Sequence, residues 1–261
     1  MNKSLSYASN LSTKKVVSAG LLTSISIILT RYFAIMIPLA GLPSLRIGFG
    51  SIPIIISGIL FGPLIGALTG IVADLIGFSI NPMGGIFFIG FTISSALYGI
   101  LPGLIYKYIR SSKLKLNYNI INIISILLFS LSVLYIMFIN KVLIFKNNIL
   151  YLYNDKLPIF FIVFMLVILF CFISIPILMN IKYKNKIGIY SFDKILFSFT
   201  TTYLIVSLML DTLWLSILYS KGYLVFLPGR VLSAIFIIPI HSIIIFTLSK
   251  SFSVINTEDN Q

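Results

Sequence analysis

The chain has 261 residues and a mass of 29.2 kDa; 59% of the residues are hydrophobic, only 10% are charged, and the mean hydropathy is +1.09. That much apolar surface excludes a soluble domain of ordinary composition and points to a bilayer. The net charge of +13, from 19 Lys/Arg against 6 Asp/Glu, is read as membrane orientation before nucleic-acid binding, because cytoplasmic loops of membrane proteins collect Lys and Arg.

Taken in chain order, the first apolar run extends from Val16 to Pro38 behind Lys3, Lys14 and Lys15. It is too long for a signal-peptide core and carries Arg31, so it is read as a first span. The next stretch, Ile52 to Ile80, is too long for one helix and breaks at Gly62-Pro63, giving two short spans at 52–61 and 63–80. Asn81-Pro82-Met83-Gly84-Gly85 is turn chemistry, and a fourth span runs from Ile86 to Tyr106. Two charge-free apolar segments come next at 119–140 and 158–181, the second containing Cys171, which as the sole cysteine excludes a disulfide framework. Phe192 to Tyr219 and Leu224 to Leu248 complete eight expected spans ahead of a polar tail, Asn256 to Gln261. The expected fold class is all-α, a polytopic helical bundle forming a single integral membrane domain over 1–261.

With the N-terminus inside, twelve of the 19 basic residues fall on the cytoplasmic side: Lys3, Lys14, Lys15, Lys107, Arg110, Lys113, Lys115, Lys182, Lys184, Lys186, Lys194 and Lys250. Lys141, Lys146, Lys156 and Lys221 sit in or beside outer loops, so Arg31, Arg46 and Arg230 remain without a topological reason.

Ionisable side chains inside spans cost several kcal/mol unless paired or facing a cavity, which makes each a functional-site candidate. Here they are Arg31, Asp74, Asp211, Arg230 and His241. The first four are expected at one depth, the outer half of the bundle, joined there by Arg46, Asn81 and Trp214. Internal pairing, for instance Arg31 with Asp74, would serve as interhelical glue without any ligand. Three arginines against two acids leave positive charge over, which an anionic ligand entering from outside would balance. His241 has no second His or Cys at ligand spacing and is read as a packing residue, with no metal expected. Trp214 suits either an interface belt or a stacking role.

The absences limit the function further. There is no G-x-x-x-x-G-K-[ST], no H-E-x-x-H and no G-x-S-x-G, so neither ATP hydrolysis by a P-loop nor other catalysis is expected of this chain, and no cofactor is implied. Small residues at intervals of four occur on the first helix, Ala19 with Thr23 and Gly20 with Ser24, and in the row Gly62, Gly66, Gly70. Both patterns let another helix approach closely; the glycine row suits packing within the chain, the first helix a partner protein.

Seven short motifs, in order, resemble those of the folate-specific S component of energy-coupling factor (ECF) vitamin transporters. They are Thr30-Arg31-Tyr32, Arg46-Ile47-Gly48-Phe49-Gly50-Ser51, Phe61-Gly62-Pro63, Ala73-Asp74-Leu75-Ile76-Gly77, Asn81-Pro82-Met83-Gly84-Gly85, Asp211-Thr212-Leu213-Trp214-Leu215 and Leu227-Pro228-Gly229-Arg230. The resemblance implies a six-helix core, 16–110 and 192–250, into which this chain inserts an apolar helical pair at 118–190. An even number of inserted spans preserves the orientation of the last two core helices.

The resemblance also implies a multi-pass protein of the bacterial cell membrane with both termini cytoplasmic. Such a subunit captures its vitamin at the outer face and releases it inside by toppling in the membrane. A separate module supplies the energy, with one transmembrane coupling subunit and two cytoplasmic ATPases. Gly20 and Ser24 would contact the coupling subunit. Folate offers a glutamate tail with two carboxylates and a pterin edge of N–H donors. Arg31, Arg46 and Arg230 would then bind its anionic or carbonyl groups, and Asp74 or Asp211 would read the pterin edge. Trp214 and Phe87 would stack on the flat rings, while Asn81 and Gly84 supply backbone groups. The family usually has asparagine where Asp211 stands, so this carboxylate would shift the ligand preference or pair with an arginine. The readings set against folate are an S component for another vitamin and an ion-coupled secondary transporter.

Overall fold

A computed structural model describes residues 13–39, 41–83, 85–111, 117–139, 141, 143–146, 149–152, 155–156, 163, 170, 174, 178 and 190–258. The chain divides into two compact units, one of residues 1–112 with 202–220 and one of residues 113–201 with 221–261. Among the described residues, five helices are long and apolar enough to cross a membrane: Thr13–Arg31, Pro63–Ile80, Ile89–Ser111, Phe192–Tyr219 and Tyr223–Ser249. Ser51–Phe61 and Tyr118–Ser132 are shorter apolar helices.

In the first unit, α1 (Thr13–Arg31) leads into an antiparallel hairpin of β1 (Ile35–Leu39) and β2 (Leu42–Ile47), with Ile35 opposite Ile47 and Met36 opposite Arg46. The apolar run expected as one span over 16–38 is therefore helical only to Arg31. Ile35 and Ile37 are β-branched and favour extended backbone, and Pro38 lacks the N–H a continuing helix would need. The hairpin turns at Gly41, whose φ of +77° favours glycine.

Next come α2 (Ser51–Phe61) and α3 (Pro63–Ile80), separated at the expected place. Gly62 adopts φ +96° and its N–H still bonds the Gly58 carbonyl at 3.0 Å, while Pro63 opens α3 at a position where no N–H is required. The fourth span, α4 (Ile89–Ser111), starts and ends later than 86–106, because the turn chemistry holds residues 85–88 out of the helix. α2 is buried on nearly every side, from Ile52 to Ile59, and packs with α3 against α4. Contact there is backbone to backbone: a Cβ on Gly58 would run into the Gly99 carbonyl, and one on Gly70 into that of Ser95. Gly66 and Gly70 of the glycine row thus serve packing within the chain, whereas a Cβ on Gly62 would meet nothing within 4 Å.

This unit is completed by an unusual turn. α6 (Phe192–Tyr203) continues without a break into a π-helix, Leu204–Asp211, and then α7 (Thr212–Tyr219). The π segment, with one extra residue per turn, packs against α4, and Val206 and Leu208 are fully buried.

The second unit contains α5 (Tyr118–Ile139), a three-stranded antiparallel sheet of β3 (Leu143–Lys146), β4 (Ile149–Leu152) and β5 (Asp155–Lys156), most of α6, and α8 (Tyr223–Glu258). Phe192 meets Phe246 at 5.5 Å and Phe199 meets His241 at 5.4 Å between ring centroids, so α6 and α8 run antiparallel. α5 docks on α6 through Tyr118 and Phe197 at 5.6 Å. Of the expected span at 158–181, residues 163, 170, 174 and 178 are described, each of them helical, and the rest lie outside the described residues. α8 outruns the expected 224–248 by about three turns, and it contains Pro228 and Pro239.

Candidate functional site

The last residue of α1 is Arg31, so it lies at a helix end rather than within the outer part of a continuing span. Its side chain is only 3% exposed and is held by α3 and the loop after it. Nη2 donates to the Asp74 carboxylate at 3.3 Å and to the Asp74 backbone carbonyl at 3.3 Å, and Nη1 donates to the Asn81 carbonyl at 3.2 Å. Asn81 returns the contact, its Nδ2 donating to the Arg31 carbonyl at 3.2 Å. The guanidinium lies 5.9 Å from the ring centre of Phe78, a cation–π distance. Gly77 permits this close seat, since a Cβ there would fall 2.8 Å from Nε. Arg31 is therefore a clamp joining the ends of α1 and α3.

Asp74 is engaged on both carboxylate oxygens. Oδ1 faces Arg31, and Oδ2 accepts the Thr92 hydroxyl from α4 at 2.7 Å. Asn81 shapes the adjoining turn, its Oδ1 accepting the Met83 N–H at 3.0 Å where Met83 adopts φ +52°. The Gly85 N–H closes the turn on the Pro82 carbonyl at 3.0 Å. Gly84 lies outside the described residues. Phe87, exposed beyond that turn, meets Phe78 edge-on at 5.3 Å, which extends the aromatic surface lying over Arg31.

Arg46 is exposed on β2 opposite Met36, close enough to Arg31 for their charges to act on each other. Two guanidinium groups and one carboxylate thus share this corner of the first unit, with a surplus of one positive charge. That arrangement attracts anions.

On the other side of α4, Asp211 ends the π-helix and Trp214 stands three residues later on α7. The Trp214 indole N–H donates to the Ser94 hydroxyl at 3.2 Å, and its ring lies over Gly90 and 5.9 Å from Phe88. The fully buried Thr212 hydroxyl reaches the Ser207 carbonyl, five residues back, at 3.4 Å. Arg230 belongs to the second unit, where it is 6% exposed near the start of α8.

Arg31, Asp74, Asn81 and, through Phe78, Phe87 are therefore brought together, with Arg46 beside them. Thr92 and Ser94 were not among the sequence-derived candidates. Their signal was available: Thr92 and Ser94-Ser95 interrupt an otherwise apolar span, and buried hydroxyls in such a span need acceptors or donors.

On α1, a Cβ at Gly20 would meet nothing within 4 Å, and the exposed Ser24 bonds back to the Gly20 carbonyl at 3.0 Å. Val16, Val17, Leu21, Ile25 and Ile28 are exposed on the same helix.

Comparison with known proteins adds three findings. The chain is 34% identical over 104 residues to the folate transporter FolT of Clostridium novyi (strain NT), a match that covers 40% of this chain and spans 56% of that relative's length. Its fold superposes on the crystal structure of FolT bound with folic acid with a TM-score of 0.53, covering 92% of this chain and 97% of that one at 17% identity. Residues 10–175, more than half of the chain, match the family of the ECF-type riboflavin transporter S component, and the chain belongs to that family of S components.

Proposed function

We propose that this S component binds folate and delivers it across the bacterial cell membrane. The observation that carries the reading is the surplus of cationic charge where Arg46 lies beside the Arg31–Asp74 pair. Folate presents two carboxylates on its glutamate tail, which guanidinium groups bind well. The similarity to a folate transporter over 104 residues supports the same ligand. Riboflavin, named by the family description, is the competing vitamin; its flavin and ribityl groups carry no carboxylate to meet the arginines, so the charge pattern favours folate.

In this reading Arg46, exposed on its strand, meets a ligand carboxylate directly. Arg31, whose terminal nitrogens are engaged by protein acceptors, holds the binding corner together and adds its charge. Asp74, which also holds Arg31 and Thr92, or Asp211 reads the pterin edge; a carboxylate has about four lone-pair sites and serves several donors at once. Trp214 and Phe87 stack on the flat rings, and the turn at Asn81 and Gly84 lends backbone groups.

Energy comes from a separate module of one transmembrane coupling subunit and two cytoplasmic ATPases. Gly20 and Ser24, on the open face of α1, form the contact with the coupling subunit. Both termini are cytoplasmic, substrate enters from outside, and toppling of the loaded subunit releases it inside. The inserted segment 118–190 falls in sequence between the fourth and the last two core helices, and within it Ile120, Ile124, Leu128 and Leu131 of α5 are exposed apolar residues suited to lipid.

Equilibrium dialysis of the detergent-purified chain with tritiated folate tests the proposal, with riboflavin, thiamine and biotin as competitors. Saturable folate binding that the other vitamins do not displace is expected. Preferential binding of riboflavin would overturn the folate assignment. Uptake into vesicles that proceeds without ATP or partner subunits would instead indicate a secondary transporter.

A further inference from the structure

Trp214 is the sole tryptophan in the chain, and α4 holds it at two points. Its indole N–H donates to Ser94 Oγ at 3.2 Å, and Ser94 is itself 3% exposed. One turn earlier, Gly90 supplies a flat seat: a Cβ there would fall 2.6 Å from Trp214 Cδ2 and 2.8 Å from Cγ. Residues four apart lie on one helical face, so Gly90 and Ser94 act together. Phe88, tilted by 52°, closes a further side of the ring. Thr92, between them in sequence, points to the opposite side of the helix and bonds Asp74 instead. A half-buried indole could rotate about its side-chain bonds, and a single directional hydrogen bond to a buried acceptor on a rigid helix removes that freedom.

We propose that Ser94 is a positioning residue for substrate binding: by accepting the Trp214 N–H it presets the plane of the indole as a stacking wall for a flat heteroaromatic ring. Without the bond, the ligand must select one indole orientation from several, and affinity falls by the fraction so lost. This inference rests on the folate reading.

The test uses the full chain in detergent, with intrinsic fluorescence measured in the absence of ligand and folate affinity by equilibrium dialysis. Ser94→Ala should shift the Trp214 emission, lower its anisotropy and weaken folate binding about fivefold, the scale of one lost neutral hydrogen bond. Ser94→Thr, which keeps the hydroxyl, should restore emission and affinity towards wild type. Trp214→Phe keeps a ring but has no N–H, so adding Ser94→Ala to it should change affinity less than about twofold further. Unaltered emission in Ser94→Ala would overturn the tether. Affinity of Ser94→Ala within twofold of wild type, or an equal loss in the Trp214→Phe background, would overturn the positioning role. If wild type binds no folate, the folate reading falls by itself, and the ligand-free emission still decides the tether.

Discussion

Replacing Asp74 by leucine removes the counter-charge of a guanidinium that cannot reach water. The two side chains are 3% and 11% exposed, and their contact is a single Nη2–Oδ1 approach of 3.3 Å. In Asp74→Leu the guanidinium keeps two backbone carbonyls, at 3.2 and 3.3 Å, and the Thr92 hydroxyl loses its acceptor. Removing one member of a buried pair costs about 3–5 kcal/mol; a long, single contact with two acceptors left behind belongs at the low end, about 3 kcal/mol. For a chain of this size, about 2–4 °C per kcal/mol converts this to a fall in Tm of roughly 6–12 °C. The double variant Arg31→Met/Asp74→Leu buries no charge and should lie within about 1 kcal/mol of wild type. Thermal unfolding in detergent, monitored by Trp214 emission, measures all three. A drop below about 2 °C in Asp74→Leu, or a double variant less stable than either single one, would refute the clamp.

Arg46→Gln should weaken folate binding about tenfold at low salt, with the difference shrinking as ionic strength rises, because the side chain is exposed and its charge is screened; dialysis at two salt concentrations checks this. Gly20→Leu has open space around it, so folate binding by the isolated subunit should be unchanged while co-purification with the coupling subunit is lost. Gly99→Val should abolish a monodisperse size-exclusion peak, since any Cβ there runs into the backbone of Gly66 on α3. Gly90→Val should displace the indole and lower folate affinity more than Ser94→Ala does, as read by the same dialysis.

The break at Gly62-Pro63 and the glycine row were legible in sequence because proline and glycine act through local backbone geometry. Arg31 and Asp74 stood out because a charge inside an apolar run carries a cost whatever its partner. The end of the first span was not legible. Ile35, Ile37 and Leu39 are as apolar as the helix before them, and hydropathy does not distinguish a lipid-facing helix from an apolar hairpin. Nor was the π-helix at Leu204–Asp211, whose extra residue per turn leaves no mark in composition. The sequence placed Arg31 among the expected ligand-binding arginines; its seat against Gly77 and the carbonyls of Asp74 and Asn81 adds a clamp role that was not legible, because it depends on which atoms face which. Thr92 and Ser94 were overlooked because a hydroxyl in a span stands out less than a charge.

Where α2, α3 and α4 meet, Gly58, Gly66, Gly70 and Gly99 bring main chain directly against main chain. No layer of side chains lies between these helices at those positions, so nothing there can change rotamer and let one slide past another. Such a slab behaves mechanically as one plank, and Asp74 and Thr92, mounted on two of its helices, keep their spacing when it tilts. In the proposed toppling, a carrier that turns in the bilayer with its cargo needs a part that rotates without deforming, and four missing methyl groups would provide it.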